Sequence, residues 1–571
     1  MDSLQRCFDI ALETPDGIKK LRGLILSLAM KGKLAPQNKN DQPAKELLKE
    51  IEAEKSRLLK EGKIKKQEPL PQIKNEEIPY ELPENWVWVR LGEISALITK
   101  GSSPNWQGIN YTDSSNGILF ITSENVDNFK LKFNNKKYVE YKFNEIEPRS
   151  ILQKFDILMN IVGASIGRVA YYDLDEIANI NQAVCLIRLI YIGKYTDLNY
   201  LLYFLNSSIC LSYMFSKQVD NARANLSMAN IAKFLIPFPS FTEQKRIVSK
   251  IDQLMALCDT LEKQKNERNQ KQLAVHTSAL NRLLNSKQPN EFNKSWQFIT
   301  KQFSKLYSIS ENILELKKAI LQIAMQGKLV PQNPNDPPAS ELLKEIESEK
   351  KRLIKEGKIK EPKPLPPIKP NEIPYELPKG WEWVRLNDAL DVRDGTHDTP
   401  KYVQVGYPLI TSKNLYTGKL SFDDIKFISK EDHLKTIERS KVEKGDILFA
   451  MIGSIGNPVI VNTNDEFSIK NIALFKYYRD NTPNTKFVYY YFFYTQKKMK
   501  AISSGAVQSF VSLGFLRNYL FPLPPLPEQK RIVTKIERLM TLCDTLDKQI
   551  KSSEEKKIKI FDAVLAQIQN K

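Results

Sequence analysis

Residues 21–65 read LRGLILSLAMKGKLAPQNKNDQPAKELLKEIEAEKSRLLKEGKIK, and residues 316–360 read LKKAILQIAMQGKLVPQNPNDPPASELLKEIESEKKRLIKEGKIK. Gly32 falls on Gly327, a displacement of 295 positions. The match continues without a gap through IPYELPENWVWVRL from Ile78 and IPYELPKGWEWVRL from Ile373. A second matched block reads FTEQKRIVSKIDQLMALCDTLEKQ from Phe241 and LPEQKRIVTKIERLMTLCDTLDKQ from Leu526, with Cys258 on Cys543 at a displacement of 285. The stretch between the blocks is therefore ten residues longer in the first copy. A period near 290 residues is far too long for a solenoid. It marks two copies of one module and invites a pseudo-twofold arrangement.

Working outward, the 571 residues suggest about three to five domains. A hydrophobic fraction of 42% is enough to bury real cores. Lys and Arg number 85 against 67 Asp and Glu, a formal charge of +18. That excess favours a polyanionic partner, because each neutralised phosphate releases condensed counterions. The five cysteines (Cys7, Cys185, Cys210, Cys258 and Cys543) form no Cys-x-x-Cys pair, and His276, His397 and His433 have no metal-ligand spacing. Neither a disulfide framework nor a metal site is expected. No leader peptide is expected over the first twenty residues. The most apolar stretch, Leu198 to Phe215, is interrupted by Asn206, Ser207, Ser208 and Ser212, which favours a buried helix over a membrane span. A reducing, cytoplasmic setting is the expectation.

In the block from Glu243, Ile247, Ile251, Leu254, Cys258 and Leu261 are spaced 4-3-4-3, a heptad seam. Ile532, Ile536, Leu539, Cys543, Leu546 and Ile550 repeat it. Pro527 suits a first helical turn, and Ser240 or Thr242 can cap the first copy. A helix of ~40 residues would span ~60 Å, and two such seams are expected to pack on each other. The two seam cysteines read as small core residues. A shorter helix is expected after Asp41 and after Asp336 as caps, with Pro43 and Pro338 in its first turn and Gly62 and Gly357 at its end. The prolines that follow, Glu68-Pro-Leu-Pro and Pro362-Lys-Pro-Leu-Pro-Pro, predict stiff extended connectors.

Between the blocks lie two globular segments with a common skeleton. Trp86 to Val89, GILFITSENV and FDILMNIVGASIGRVA read as strands in the first. WEWVRL, YPLITSKNL and GDILFAMIGSIGNPVI are their counterparts, with Asp156 on Asp446 and Ser165 on Ser454. The loops disagree: KGSSPNWQGINYTDSSNG has no match in VRDGTHDTPKYVQVGYP. A common scaffold with unlike loops suits two domains that bind two different targets.

Catalytic readings find little support. Gly32-Lys33 and Gly327-Lys328 are followed by Leu and lack the upstream glycine of a phosphate loop. Asp336-Pro337-Pro338 is followed by Ala339, not by the aromatic residue of an amino-methyltransferase motif, and reads as a helix start. Gly163-Ala-Ser-Ile-Gly167 loses one residue in the second copy, which a nucleophile elbow would not tolerate. His397, in Gly-Thr-His-Asp-Thr-Pro, reads as a loop histidine rather than half of a catalytic His-Asp pair. An enzyme acting alone on DNA, or a coiled-coil scaffold without readout, are the competing classes.

The paired GKL-x-PQ blocks at Gly32 and Gly327, the paired LPxxWxWVRL and the paired EQKRIV helices resemble the specificity subunit of type I restriction-modification systems over almost the whole chain. The resemblance implies an α+β chain of two mixed, β-rich target-recognition domains separated by long antiparallel coiled-coil helices. It places shared helical regions at 1–80, 241–375 and 526–571, and recognition domains at 81–240 and 376–525. It further implies that each domain reads half of a bipartite, asymmetric site in double-stranded DNA. The helices would dock two methylation subunits, which restriction subunits then join. S-adenosylmethionine, ATP and Mg²⁺ would belong to those partners, and this chain would hold no cofactor and do no chemistry. Two departures stand out: no shared block closes the repeat after residue 550, and Ser286 to Ser304 has no partner in the other copy.

Base edges are read by Arg and Lys at guanine and by Asn and Gln at adenine. On loop position, polarity and difference between copies, the candidates in the first domain are Lys100, Ser102, Asn105, Trp106, Ser123, Asn125, Arg168, Arg223 and Asn225. In the second they are Arg393, Thr396, His397, Lys401, Ser412, Lys413, Asn414, Gln508 and Ser509. Lys245, Arg246, Lys530 and Arg531 flank the seam, as surface charges or phosphate contacts. The expected geometry sets two unlike domains on major-groove faces about one turn, ~10 base pairs, apart.

Overall fold

The alternating W-x-W-V-R pattern forms a strand at Val87–Arg90, which pairs antiparallel with Leu235–Phe238 and so ties the two ends of the first variable segment together. Glu382–Arg385 and Leu520–Leu523 do the same in the second copy. The computed structural model describes residues 2–216, 226–286, 288–416, 418–503 and 510–570. They divide into two units, Met1–Arg268 with Ser553–Lys571, and Asn269–Ser552.

In the first unit, one four-stranded sheet has the order Ser95–Lys100, Val184–Leu189, Ile157–Asn160, Val169–Tyr171, all antiparallel. The other runs Tyr111–Thr112, Lys137–Glu140, Gly117–Ile121, Ala178–Ile180, and only its last pair is parallel. The second unit repeats both. Its sheets run Asp391–Asp394, Ile472–Lys476, Ile447–Ala450, Gly456–Ile460, and Tyr402–Val403, Lys426–Ile428, Tyr407–Ile410, Ser468–Ile469. Again only the last pair is parallel. Gly117–Ile121, Ile157–Asn160 and Ile447–Ala450 are buried at every position, which is why they read as continuous apolar runs. Asp156, which is buried, pairs with Arg188, and its counterpart Asp446 pairs with Lys476, so the same internal ion pair uses a different cation in each copy.

The stretch Leu198 to Phe215 is helical but broken, into Leu198–Leu205 and Ser208–Ser216. Asn206 lies at the break, its Nδ2 donating to the carbonyls of Leu202 and Val169. The aromatic run of the second copy forms one helix, Thr485–Ser503. No described helix is long and apolar enough to cross a membrane.

The heptad seams fall on helices Phe241–Leu284 and Leu526–Asn570, of 44 and 45 residues. Ser240 caps the first, its hydroxyl accepting from Glu243 N–H at 3.2 Å. In the first unit Ile247, Ile251, Leu254 and Cys258 are buried together with Leu21, Leu24, Ile25 and Leu28 of helix Gly17–Met30, and with Phe561. In the second, Ile532 and Ile536 are buried with Leu321, Ala324 and Met325 of helix Ser310–Met325. Cys543 is buried with Ile313, Leu316 and Ile320 of that helix and with Ala279, Leu280 and Leu283. Each seam is thus covered by its own repeat's short shared helix as well as by the distant part of the other long helix. Burial pushes the Cys258 thiol up to about 11 and raises that of Cys543. Both should therefore resist iodoacetamide in the native chain at neutral pH and react fully after urea unfolding. Stoichiometric native alkylation of either would contradict the buried assignment.

The other shared motifs bind these helices to the recognition domains. Gly32 and Gly327 end helices Gly17–Met30 and Ser310–Met325 in the left-handed region, at φ of 68° and 69°. A Cβ there would lie 2.4 and 2.3 Å from a proline ring carbon, of Pro83 and Pro378 respectively. Gly62 and Gly357 end the next helices, Ala44–Lys60 and Ala339–Lys355, in the same conformation. Asp41 and Asp336 do not cap those helices. They pair with Arg246 and Arg531 on the long helices. Glu528 accepts from Trp381 Nε1 at 3.0 Å and Gln332 Nε2 at 2.8 Å, and burial holds its carboxyl above the usual range. Gln244 and Gln529 each clamp the chain just before a recognition-domain helix, accepting from Asp197 N–H at 2.8 Å and Asn484 N–H at 2.7 Å. Ser286 to Ser304, without counterpart by sequence, is largely helical, with Pro289–Lys301 as its main element.

Candidate nucleic-acid interface

The strand order brings several strand ends together at one edge of each recognition domain. Lys100 lies across from Cys185 and Asn160 across from Val184, so two strands finish where Val184–Leu189 begins. The parallel pair finishes there as well. Asn181 N–H donates to the Ile121 carbonyl at 3.0 Å, and Asn160 Nδ2 donates to the Ser123 carbonyl at 2.9 Å. Gly101 lets the following loop turn inward, since a Cβ would sit 1.8 Å from the Ile180 carbonyl oxygen. The second domain builds the same edge. Gly395 N–H donates to the Ile472 carbonyl at 2.9 Å, Thr396 N–H to Ile469 at 3.0 Å and Lys470 N–H to Ile410 at 2.9 Å. A Cβ on Gly395 would lie 2.1 Å from the Ile469 carbonyl oxygen.

In the first domain Lys100, Ser102, Ser123 and Arg168 reach this edge. Lys100 and Arg168 are exposed, and neither forms an ion pair among the described residues. Ser102 is buried, its hydroxyl accepting from Gln107 Nε2 at 3.1 Å. That bond ties in the turn Pro104–Gln107, which carries Asn105 and Trp106. Trp106 is 77% exposed, an unusual position for the largest apolar side chain. Asn125 is differently employed. Its amide oxygen accepts from the Thr122 N–H and hydroxyl at 2.9 and 3.1 Å, and its Nδ2 donates to the Lys132 carbonyl at 3.0 Å. Asn414 makes the same turn with Thr411 and the Asp423 carbonyl. Both are buried and hold the fold.

In the second domain Thr396, His397, Ser412 and Lys413 reach the edge. Arg393 is held within the domain, with Nε 2.8 Å from Asp391 Oδ2 and Nη1 donating to the Arg439 carbonyl at 3.1 Å. Lys401 is exposed and lies further along the loop, before strand Tyr402–Val403. His397 is bracketed by Asp394 Oδ2 at 2.8 Å and Asn471 Oδ1 at 3.0 Å. Asp394 in turn accepts from the Arg439 guanidinium. Arg223, Asn225, Gln508 and Ser509 lie outside the described residues. The described residues shortly beyond them are anchored at the same edge, Leu226 N–H to the Ile161 carbonyl at 3.0 Å and Val511 N–H to Met451 at 2.9 Å.

Asn160, Asn181, Lys470 and Asn471 also lie at this edge and were not among the candidates, because they sit at the margins of strands counted as skeleton. One signal was available. The first copy reads Ile180-Asn-Gln-Ala-Val184 where the second reads Ile469-Lys-Asn-Ile472, one residue shorter at the edge itself.

One β-rich scaffold used twice, with unlike residues at the same edge and shared helices between, defines a two-domain DNA specificity protein. The chain matches the type I restriction modification DNA specificity domain twice, over residues 83–268 and 378–555. It is 34% identical to the type I restriction enzyme EcoAI specificity subunit of Escherichia coli, covering 96% of this chain and 93% of that one. With the EcoEI specificity subunit of the same organism the identity is 32% at the same coverage. The chain belongs to the family of type I restriction-modification specificity subunits. Among solved structures, a chain from work on assembly and conformational transition of the type I R-M system aligns over 86% of this chain and 99% of its own, at 17% identity and a TM-score of 0.49. The HsdS subunit from Thermoanaerobacter tengcongensis aligns over 86% and 97%, at 17% identity and a TM-score of 0.40.

Proposed function

We propose that each recognition domain reads one half of a bipartite, asymmetric site in double-stranded DNA through the edge where its strands end. The observation that carries this is one strand order used twice with different side chains at that edge: Lys100, Ser102, Ser123 and Arg168 in one copy, Thr396, His397, Ser412 and Lys413 in the other. Backbone-positioning contacts and base contacts both need such loops on a rigid frame. The shared helices dock two methylation subunits, and restriction subunits join that core. S-adenosylmethionine, ATP and Mg²⁺ are held by those partners, and this chain supplies the address without catalysis.

The test is modified-base mapping of DNA from cells expressing the chain with its methylation subunit, against the same cells lacking the chain. N6-methyladenine is expected at one split, asymmetric motif, only when the chain is present. Methylation that is unchanged without the chain, or absent with both subunits, would overturn the reading. A purified chain that methylates or cuts DNA alone would assign it to the enzymes instead.

A further inference from the structure

We propose that Asn471 is a base-reading residue of the second domain, and that His397, Asp394 and Arg439 are positioning residues that set its amide for adenine. This rests on the reading that the strand-end edge meets DNA.

Asn471 occupies the one-residue contraction that distinguishes the two edges. The first copy fills that place with a turn in which Asn181 Oδ1 accepts from Ala183 N–H at 3.1 Å. Asn471 instead adopts φ of 55°, a conformation that asparagine tolerates better than most residues. Its backbone is held from both sides. Its N–H donates to the Thr396 carbonyl at 3.1 Å, and its carbonyl accepts from Met451 N–H at 3.2 Å. Met451 in turn accepts from Val511 N–H, so three chain segments meet on this residue.

The side chain is oriented by a chain of partners. Arg439, on helix Lys430–Ser440, donates to Asp394 and to the Gly395 carbonyl, the latter at 3.0 Å. Asp394 is buried, and its other oxygen lies 2.8 Å from His397 Nε2. A carboxylate oxygen only accepts, so Nε2 carries the proton. The other ring nitrogen, Nδ1, lies 3.0 Å from Asn471 Oδ1. That contact fixes the plane of the amide. Nδ2, with the second lone pair of Oδ1, then presents a donor and an acceptor in one plane. That pair matches N7 and the N6 amino group of adenine in the major groove and no other base.

The experiment maps methylated motifs, and the relative rates at single-base variants of the site, for the complex of the chain with its methylation subunit. Asn471→Asp keeps the size and the left-handed tolerance but removes the donor. It is expected to cut the preference for adenine at one position of the second half-site by roughly 10- to 100-fold, leaving the first half-site as read by the unaltered chain. His397→Ala should weaken discrimination at that same position, and His397→Gln, which can again hydrogen-bond the amide, should restore part of it. Undiminished adenine preference in Asn471→Asp, with normal methylation, overturns the inference alone. Loss at both half-sites together shows a folding defect, and Asn471→Gly then decides, since glycine adopts the conformation freely; retained preference in that variant overturns the inference as well. No split motif from the unaltered chain would instead sink the reading on which this rests.

Discussion

Replacing Arg385 by methionine is expected to unfold most of the second recognition domain at physiological temperature, and Arg90→Met should do the same to the first. The Arg90 side chain is 1% exposed. Its Nε donates to the Pro71 carbonyl at 2.7 Å, Nη1 to Lys233 at 3.0 Å, and Nη2 to Glu77 at 2.9 Å. Arg385 repeats the pattern with Pro366 at 3.3 Å, Asn518 at 2.8 Å and Glu372 at 3.0 Å. One guanidinium therefore fastens the proline connector, the closing ribbon strand and the segment before its partner strand. Methionine fills the volume but leaves those carbonyls and the carboxylate without their shared donor. Losing several hydrogen bonds from one side chain, at about 0.5–1.5 kcal/mol each, removes a large share of the ~5–15 kcal/mol that holds a domain. Lysine should rescue little, because it cannot serve the same fork of acceptors. The Arg385 guanidinium also holds the Glu372 carboxyl below its usual range. The pair's contribution is thus present above the unfolded carboxylate range and lost as pH falls through the lower, folded value. The full chain unfolded in urea, followed by tryptophan fluorescence, gives the midpoints. Unchanged midpoints in both variants would refute this account.

What was legible in the sequence was local and doubled. The strands Val87–Arg90 and Gly117–Ile121, the seams at Ile247 and Ile532, and the glycine ends at Gly62 and Gly357 each carry a short-range pattern, and each appears twice. Pairing over distance was not legible. Asp41 has the look of a helix cap because capping is written within four residues, whereas its actual partner, Arg246, is 205 positions away. Asn125 and Asn414 have the composition of base readers, yet Thr-x-x-Asn is also the signature of an amide-closed turn, and both are buried in that turn. Asn471 was invisible for the opposite reason. It lies between two strands of the skeleton, and only the parallel pairing of Ser468–Ile469 with Tyr407–Ile410 brings it to the edge.

Replacing Lys100, Arg168, Lys401 and Lys413 together by glutamine is expected to lower affinity for DNA of any sequence by up to about 10³- to 10⁴-fold at ~0.1 M salt. All four are exposed, and none forms an ion pair among the described residues, in contrast to Arg188 and Lys476, which are committed to Asp156 and Asp446. Each phosphate contact adds about 0.9 to the slope of log K against log salt, so four contacts add about 3.6 and, near 0.1 M, about as many decades of affinity. The two domains should contribute separately. Lys100 with Arg168, or Lys401 with Lys413, should each remove about 1.8 from the slope. The lost slope counts their phosphate contacts, whatever bases they also read, whereas an Asn471 variant should change one base and leave the slope alone. Anisotropy titrations of the complex with its methylation subunit, over a range of salt, separate the two behaviours. A slope unaltered in the fourfold variant would mean that these side chains face solvent, and that the positive charge which drew attention to nucleic acid acts from elsewhere on the chain.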